Sequence, residues 1–238
     1  MRTDQALQKL SDKMTYRRDD LFHALRSEKE DLSDSAFRWT LYNLLQEQKL
    51  FKTDFDTYVT VKPTVLPVYK PCYSKKANTL METLSNRFPE LEYVIFESVL
   101  LNEFLNHQIA QNTIYVQVEK DVSSYIFDNL QEEYTGTVLY RPGKNEFDRY
   151  WTKDCIVVLD LISQAPLSQD KPHEITAEKM LVDIIAERSI SGTFSPSEIP
   201  FVYENVMRSY QVDRRKMNRY AGRRGKSSQV KKYAGGAD

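Results

Sequence analysis

The sequence predicts a mixed α/β protein in two parts: a small N-terminal domain of helices and a β-ribbon, and a larger α/β domain that ends in helices. Three observations support this prediction. Apolar residues recur at helical spacing through residues 6–45. Short apolar runs rich in β-branched and aromatic residues alternate with helical stretches through residues 92–162. Between these regions, Pro63, Pro67 and Pro71 predict an extended linker over residues 63–75, because each proline disfavours helix in itself and its predecessor.

The length and composition are typical of a soluble protein with no membrane partner. The 238 residues are 41% hydrophobic and 28% charged, which is sufficient for two domains. No apolar run reaches the ~18 residues of a membrane span, and the N-terminus lacks the apolar stretch of a signal peptide, so we expect a cytoplasmic location. The two cysteines and three histidines are scattered, and we therefore expect neither a metal site nor a disulfide framework.

Three helices are predicted before the ribbon. The apolar residues of the first are Ala6, Leu7, Leu10 and Met14. The second begins in the polar segment 17–20, and its apolar residues are Leu21, Phe22 and Leu25. The third begins at Asp34, because Ser33 has the short oxygen-bearing side chain of an N-cap and Asp34 favours the positive end of the helix dipole. Its apolar stripe consists of Phe37, Leu41, Leu44 and Leu45.

A short ribbon follows the third helix directly. Residues 50–51 and 58–60 frame a polar tip, residues 52–56, as the two strands of a hairpin would. A helix followed by such a ribbon is typical of the recognition helix and wing of a winged helix-turn-helix, so we assign residues 1–62 to a DNA-binding domain of this kind. A generic helical bundle is the alternative, and the hairpin argues against it.

The candidate DNA contacts lie away from the apolar stripe of the third helix. A recognition helix presents its outer N-terminal face to base edges, where arginine can bond guanine and hydroxyl groups can bond phosphate. With the start of the second helix and the wing included, the predicted DNA-binding residues are Arg17, Arg18, Ser35, Arg38, Trp39, Tyr42 and Lys52. Eleven basic residues face eleven acidic ones over residues 1–62, and Asp54 and Asp56 at the wing tip would repel phosphate. For Trp39 and Tyr42, packing on the linker or the second domain is an equally open alternative.

Residues 76–238 are predicted to form the α/β domain. An amphipathic helix over residues 77–88 ends at Pro89. Strands are predicted over residues 92–97, 113–118 and 137–140, with a helix over Ser98–His107 and another capped by Asp121. Residues 155–162, CIVVLDLI, form a continuous apolar run typical of a central strand covered on both faces.

The C-terminal region is predicted to be helical and basic. Helices begin at the N-cap Thr176, at the capping box Ser195–Glu198 and at the N-cap Asp213, and the part after Gly222 is predicted to be frayed or disordered. From residue 207 onward, ten basic residues face two acidic ones. This basic tail either binds nucleic acid or docks on an acidic protein partner; for the part after Gly222, an inert solvated tail is a third alternative. The candidate contacts are Arg214, Arg215, Lys216, Arg219, Arg223 and Arg224.

Several common catalytic motifs are absent from the sequence. The first glycine is Gly136, which excludes a phosphate-binding glycine loop from the preceding residues. The order of strand, Ser98 and helix resembles the opening of nucleotidyltransferase folds, but Glu97 stands where those enzymes need glycine, and no Asp-x-Asp pair follows. Glu97, Glu119 and Asp160 could in principle hold magnesium, although capping and solvated edges explain these acids better. We therefore expect no catalytic, cofactor-binding or metal-binding residues.

Five stretches of the chain carry a family resemblance. They are the third helix with the wing ending TYVTVKP, the segments ESVLLNEFLNHQ and VEKDVSSYIFDNL, the strand leading into LISQAPL, and the helix EKMLVDIIAE. Over nearly its whole length the chain resembles the AbiEi-type antitoxin family, the antitoxins of type IV toxin–antitoxin systems. The resemblance implies a non-enzymatic protein that binds operator DNA and represses its own operon, with a C-terminal domain that neutralises a nucleotidyltransferase-like toxin. A homodimer on DNA would be consistent with this function.

Two other functions stay open at the level of the sequence. The first is an enzyme acting on nucleic acid or nucleotides, in which the winged helix delivers substrate to the α/β domain; a metal-binding carboxylate pair would distinguish it. The second is an interaction scaffold, which would bind no DNA.

Overall fold

The computed structural model describes residues 15–28, 32–54, 56–61, 65–134 and 138–235. The chain divides into two compact units. The first, called here the winged unit, comprises Met1–Lys70 and Ser209–Gln211, and the second, called the sheet unit, comprises Pro71–Arg208 and Val212–Asp238. The predicted mixed α/β class is confirmed, with helices and two separate sheets. Within the described ranges, no helix combines the length and the apolar character needed to span a membrane.

Within the described residues, the winged unit contains two helices and one small three-stranded sheet. Its elements are β1 (Tyr16–Arg17), α1 (Arg18–Glu28), α2 (Asp34–Gln46), β2 (Phe51–Asp54) and β3 (Thr57–Val59). Strand β3 pairs antiparallel with both β1 and β2, which gives the strand order β1-β3-β2 directly after α2 in the chain. Nothing in the sequence predicts β1, because two residues are too few to show an alternating pattern. The helix predicted around residues 6–14 lies outside the described residues.

One apolar cluster holds the winged unit together. Its buried members are Tyr16, Leu21, Leu25, Leu32, Phe37, Leu41, Leu44, Leu50 and Tyr58. The predicted start of α2 is confirmed, since the Ser33 hydroxyl accepts a hydrogen bond of 3.2 Å from the backbone N–H of Ala36. The cap and the buried stripe together fix which face of α2 turns outward.

The sheet unit is built on four strands. They are β4 (Tyr93–Glu97), β5 (Thr113–Glu119), β6 (Val138–Tyr140) and β7 (Cys155–Leu161). Their spatial order is β4-β5-β7-β6, in which β5, β7 and β6 run parallel and β4 pairs antiparallel with β5. The prediction of a central strand over residues 155–162 is confirmed, because β7 lies between two partners and residues 155–159 are buried.

Helices cover the sheet. On one face, α3 (Lys75–Arg87) and α4 (Ser123–Glu133) share an apolar cluster with alternate residues of all four strands. The remaining helices are α5 (Lys144–Tyr150), α6 (Ala177–Ala186), α7 (Arg188–Ser191), α8 (Ile199–Ser209), α9 (Arg214–Arg223) and α10 (Ser227–Tyr233). The side chains of Tyr115 and Gln117, which alternate with the clustered residues of β5, bond to Ser189 and Asp183, so α6 and α7 contact the opposite face.

Two predicted helix starts are confirmed in the C-terminal region, and a third is confirmed only in part. Thr176 caps α6 and Asp213 caps α9, each through hydrogen bonds from the first backbone N–H groups of the helix. Ser195 caps the short 3₁₀ helix Pro196–Glu198 that leads into α8. Glu198 does not complete the predicted capping box, because its buried carboxylate accepts bonds from the N–H of Asn106 and from His107 Nδ1, both at 2.8 Å.

Three other predictions for the sheet unit are wrong. The helix predicted over Ser98–His107 is a 3₁₀ helix, Ser98–Glu103, after which the side chain of Asn102 bonds both backbone groups of Ile109 and holds the chain in a loop. Asp121 lies within a 3₁₀ turn and does not cap α4, which begins at Ser123. The segment predicted to be frayed after Gly222 forms the end of α9 and the whole of α10, whose Val230 is fully buried. Helix α5 was also not predicted.

Candidate nucleic-acid interface

The outward face of α2 carries four of the predicted DNA contacts. Ser35, Arg38 and Trp39 are exposed and Tyr42 is half-buried, whereas Phe37 and Leu41 on the other side lie in the core. The Ser35 hydroxyl lies 3.1 Å from that of the capping Ser33, so it is placed at the N-terminus of the helix. The four side chains recur at intervals of three and four residues and therefore form one stripe.

Trp39 and Tyr42 form an aromatic pair on this stripe. Their ring centroids are 5.8 Å apart and their planes differ by 19°, which is a stacked arrangement. Trp39 exposes 62% of its surface. The pair therefore presents an apolar surface, most of it from Trp39, on the outward face of α2.

The two arginines at the start of α1 differ in their surroundings. Arg17 is exposed, and its backbone N–H donates to the carboxylate of Asp20 at 2.9 Å, which caps the helix start. The guanidinium of Arg18 lies 5.3 Å from the ring centroid of Phe37, a cation–π contact that ties it to α2. Arg17 is thus the more accessible of the two charges.

Lys52 does not lie on an exposed wing tip. Only 7% of its surface is exposed, and its ammonium lies 5.8 Å from the ring centroid of Tyr210 within the winged unit. The alternation of side chains along the strand explains this placement. Lys52 lies two residues after the buried Leu50, so both side chains point to the same side, and Lys52 pairs with the buried Tyr58. The side chain contributes to packing in this position rather than to a surface charge.

The basic tail is a folded two-helix surface. Helix α9 buries Met217, Tyr220 and Ala221. The exposed candidates on its other side are Arg214, Arg215, Lys216, Arg219 and Arg223. Lys231 and Lys232 of α10 are also exposed, and the only acidic side chain within residues 212–235 is Asp213, which caps α9. The charges are therefore held on regular helices.

Arg224 differs from the other tail candidates because it is anchored. Its guanidinium lies 3.3 Å from a carboxylate oxygen of Glu187, and its side chain is only 13% exposed. Burial by itself would lower the pKa of Arg224, but attraction by Asp183, Tyr220 and Glu187 raises it above its usual range. Arg224 thus joins α9 to the end of α6 instead of facing solvent.

A buried polar cluster fastens α9 to the sheet. The ammonium of Lys179 donates to Asp183 Oδ2 at 2.5 Å and also to the side-chain oxygen of Gln117 on β5. The hydroxyl of Tyr220 on α9 donates to Asp183 Oδ1 at 2.9 Å, and the amide of Gln117 donates to Asp183 Oδ2 at 3.0 Å. Lys179 and Asp183 are four residues apart in the helix AEKMLVDIIA, where Glu178 is the other charged residue, and this spacing in the sequence is typical of an ion pair on one helix face.

The charges of this cluster stabilise each other. Burial lowers the pKa of Lys179, and the attraction of Asp183 opposes that effect. For Asp183, burial alone would raise the pKa, but Lys179, Arg224 and the hydrogen bonds from Lys179 and Gln117 lower it below its usual value. Burial and the charge of Asp183 raise the pKa of Tyr220, so its hydroxyl remains a donor. The cluster is a satisfied structural contact with no access for a substrate.

The acidic residues considered for magnesium lie apart. Glu97 pairs with Ile114 at the start of β5, whereas Glu119 and Asp160 lie at the opposite end of the sheet. The buried carboxylate of Glu97 accepts bonds from Ser74 N, Ser74 Oγ and Asn112 Nδ2 at 2.5–2.7 Å. Among the residues that the structure describes, no group of three or more His, Cys, Asp or Glu side chains is placed to hold a metal ion.

Asp160 has its own partners at the other end of the sheet. Its carboxylate accepts a bond of 2.9 Å from Ser123 Oγ and lies 3.5 Å from the guanidinium of Arg141. The Ser123 hydroxyl is also 3.0 Å from that of Tyr140. Hydrogen bonds from Ser123 and Arg141 lower the pKa of Tyr140. These contacts tie α4 to β6 and β7, and they do not bring Asp160 to a second carboxylate.

A protein-family comparison places this architecture in a defined group. Residues 36–236, from within α2 to just beyond α10, match the model of a family described as "Family of unknown function (DUF6577)". The chain belongs to the DUF6577 family. A search of curated proteins found no match. Among solved structures, the crystal structure of the RV2827C protein from Mycobacterium tuberculosis is similar at 12% identity and a TM-score of 0.36, covering 98% of this chain and 75% of that one.

Proposed function

We propose that this DUF6577 protein is the antitoxin and transcriptional autorepressor of a type IV toxin–antitoxin pair. The winged unit would bind operator DNA, and the sheet unit would neutralise a nucleotidyltransferase-like toxin. The observation that carries the DNA-binding half is the outward face of α2, the helix that we assign as the recognition helix, where Ser35, Arg38 and Trp39 are exposed. The resemblance to AbiEi-type antitoxins supports the other half.

DNA would be held by a few placed contacts. Arg38 is suited to bidentate bonding of guanine in the major groove, and the hydroxyl of Ser35 at the helix start is suited to phosphate. Arg17, exposed at the start of α1, supplies a further phosphate contact. Lys52 is left out of this set because it is buried. Since the unit is balanced in charge, a homodimer on an inverted repeat would double the number of contacts.

The basic face of α9 and α10 has two possible partners within this proposal. It presents exposed arginines and lysines on a rigid support, which suits the phosphates of the operator or an acidic surface of the toxin. Neutralising these charges on the exposed side of α9 would separate the possibilities. Lost DNA affinity would assign the face to the operator, and lost toxin neutralisation would assign it to the partner.

The first prediction concerns Arg38. We expect Arg38→Ala to weaken binding to DNA from upstream of the protein's own gene by about 1–3 kcal/mol, because a bidentate base contact is removed. Fluorescence anisotropy with the full chain measures this change. The matched control is Arg188→Ala, which removes an exposed arginine from the sheet unit and should leave the affinity unchanged.

Two results would contradict this proposal. Equal affinity of wild type and Arg38→Ala for the upstream DNA would refute the assignment of α2 as the recognition helix. The toxin half is tested by co-expression with the product of the adjacent reading frame, where both wild type and Arg38→Ala should restore growth. If neither protein restores growth, the neutralising function is wrong.

A further inference from the structure

The exposed aromatic pair on α2 is an unusual feature for a helix surface. Trp39 and Tyr42 are stacked, and Trp39 leaves 62% of its surface uncovered while the core residues of α2 are fully packed. A recognition helix that bound DNA through hydrogen bonds alone would not need an apolar surface of this size. The pair lies on the same stripe as Ser35 and Arg38, where the proposed DNA contacts are.

We propose that Trp39 is a specificity-determining residue that contacts the C5-methyl group of a thymine next to the guanine bonded by Arg38. This inference rests on the proposed function. It names one base, a thymine, that the outward face of α2 recognises in the DNA. Arg38 and Trp39 are consecutive in α2, so their side chains leave the helix about 100° apart, and in this proposal they contact neighbouring base pairs. The half-buried Tyr42 stacks on the indole ring, with the ring centroids 5.8 Å apart.

The chemistry of the major groove singles out thymine for this contact. Its methyl group is the apolar group that distinguishes thymine from the other three bases, and apolar side chains recognise it there. The indole has no acceptor to offer a base edge, and its single N–H is at the ring edge rather than on its face. A flat aromatic face is therefore well matched to a methyl group.

The inference is tested with a duplex selected from a random pool by the full-length wild-type protein. In one copy of that duplex every thymine is present, and in others a single thymine is replaced by deoxyuridine, which removes only the methyl group. We expect one position to lose affinity about fourfold, the value of one buried methyl group. The Trp39→Ala variant should bind the thymine and deoxyuridine duplexes equally, whereas Trp39→Phe should still distinguish them.

A matched control is available in the sheet unit. Tyr150 is 56% exposed, similar to Trp39, so Tyr150→Ala tests the removal of an exposed aromatic side chain that lies elsewhere. This variant should keep the wild-type sensitivity to deoxyuridine. Circular dichroism of each variant verifies that α2 remains folded.

The outcomes separate the two proposals. If the wild type selects and binds a duplex but no deoxyuridine substitution changes its affinity, the thymine contact is refuted and the proposed function stands. The contact is also refuted if Trp39→Ala keeps the full sensitivity to the methyl group. If the wild type selects no duplex at all, DNA binding itself is refuted, and the contact is refuted with it.

Discussion

Lys179 and Asp183 place two charges inside the sheet unit, where desolvation is costly. The pair is stable there because every polar atom has a partner: Gln117 and Tyr220 complete the hydrogen bonds that the ion pair leaves open. Removing one member of such a pair costs far more than the net stabilisation that the pair supplies, because the other charge remains buried alone. These residues therefore determine whether α9 stays attached.

A prediction at this scale concerns Asp183→Asn. The substitution keeps the shape of the side chain but leaves the ammonium of Lys179 without a counter-charge, so we expect the free energy of unfolding to fall by about 3–5 kcal/mol at neutral pH. Urea unfolding of the full chain measures this loss. Asp128→Asn on the exposed side of α4 is the matched control, and it should change the stability by no more than about 0.5 kcal/mol.

The pH dependence gives an independent check of the same pair. The folded protein lowers the pKa of Asp183 below 3.8, its usual value, so this carboxylate contributes stability above about pH 4. That contribution is lost as the pH falls through the lowered pKa. The difference between wild type and Asp183→Asn should therefore narrow below about pH 4, and a difference that stays constant would mean that Asp183 does not bear the charge.

Whether a side chain is buried or exposed was predictable wherever the local sequence pattern determines it. The apolar stripe of α2 correctly separates Phe37 and Leu41 in the core from Arg38 and Trp39 at the surface. Lys52 shows the limit, because a lysine in a polar segment suggests exposure, and only its pairing with Tyr58 and its contact with Tyr210 reveal that it is buried. Contacts between distant residues are not encoded in the local pattern.

At the scale of elements, the capped helices followed the sequence and the C-terminal tail did not. Ser33, Thr176 and Asp213 each begin a helix through side-chain bonds to backbone N–H groups that are only two or three residues away. Helix α10 has a single fully buried apolar residue, Val230, which is too little periodicity to predict a helix. Packing on the rest of the sheet unit determines its structure.

A prediction at the scale of elements concerns α10. Val230→Ala removes two methyl groups from a fully buried site, so we expect a loss of about 2 kcal/mol in the free energy of unfolding. Hydrogen exchange should also show protection of the amides of Val230 and Ala234, which donate bonds of 3.0 and 2.8 Å within the helix. Gln229→Ala, at an exposed site, is the control. Free exchange of both amides would contradict the folded tail.

At the scale of the whole molecule, the sequence predicts the α/β class but not the order of the strands. Alternating strands and helices indicate crossover connections, and the apolar run of β7 indicates an internal strand. The antiparallel pairing of β4 with β5 has no local signature, and it is this pairing that moves Glu97 to the end of the sheet opposite Asp160. The strand topology therefore places Glu97 far along the sheet from Glu119 and Asp160, the acids considered as possible magnesium ligands.

The charge of the whole chain is close to zero, but it is unevenly distributed along the sequence. The formal net charge of the chain is −1, while ten basic and two acidic residues lie from residue 207 onward. Under the proposed function, a protein without a general positive field must bind DNA through placed contacts, so its affinity should depend strongly on base sequence. This expectation distinguishes a repressor from a protein that binds any polyanion through its basic face.

The central claim is that the winged unit recognises a particular DNA sequence. The most direct test is the ratio of affinities of the full chain for DNA from upstream of its own gene and for a shuffled fragment of the same composition, both at ~0.15 M salt. The account predicts that the upstream fragment binds at least about 10³-fold more tightly. A ratio near one would contradict it, because the protein would then be reading charge and not sequence.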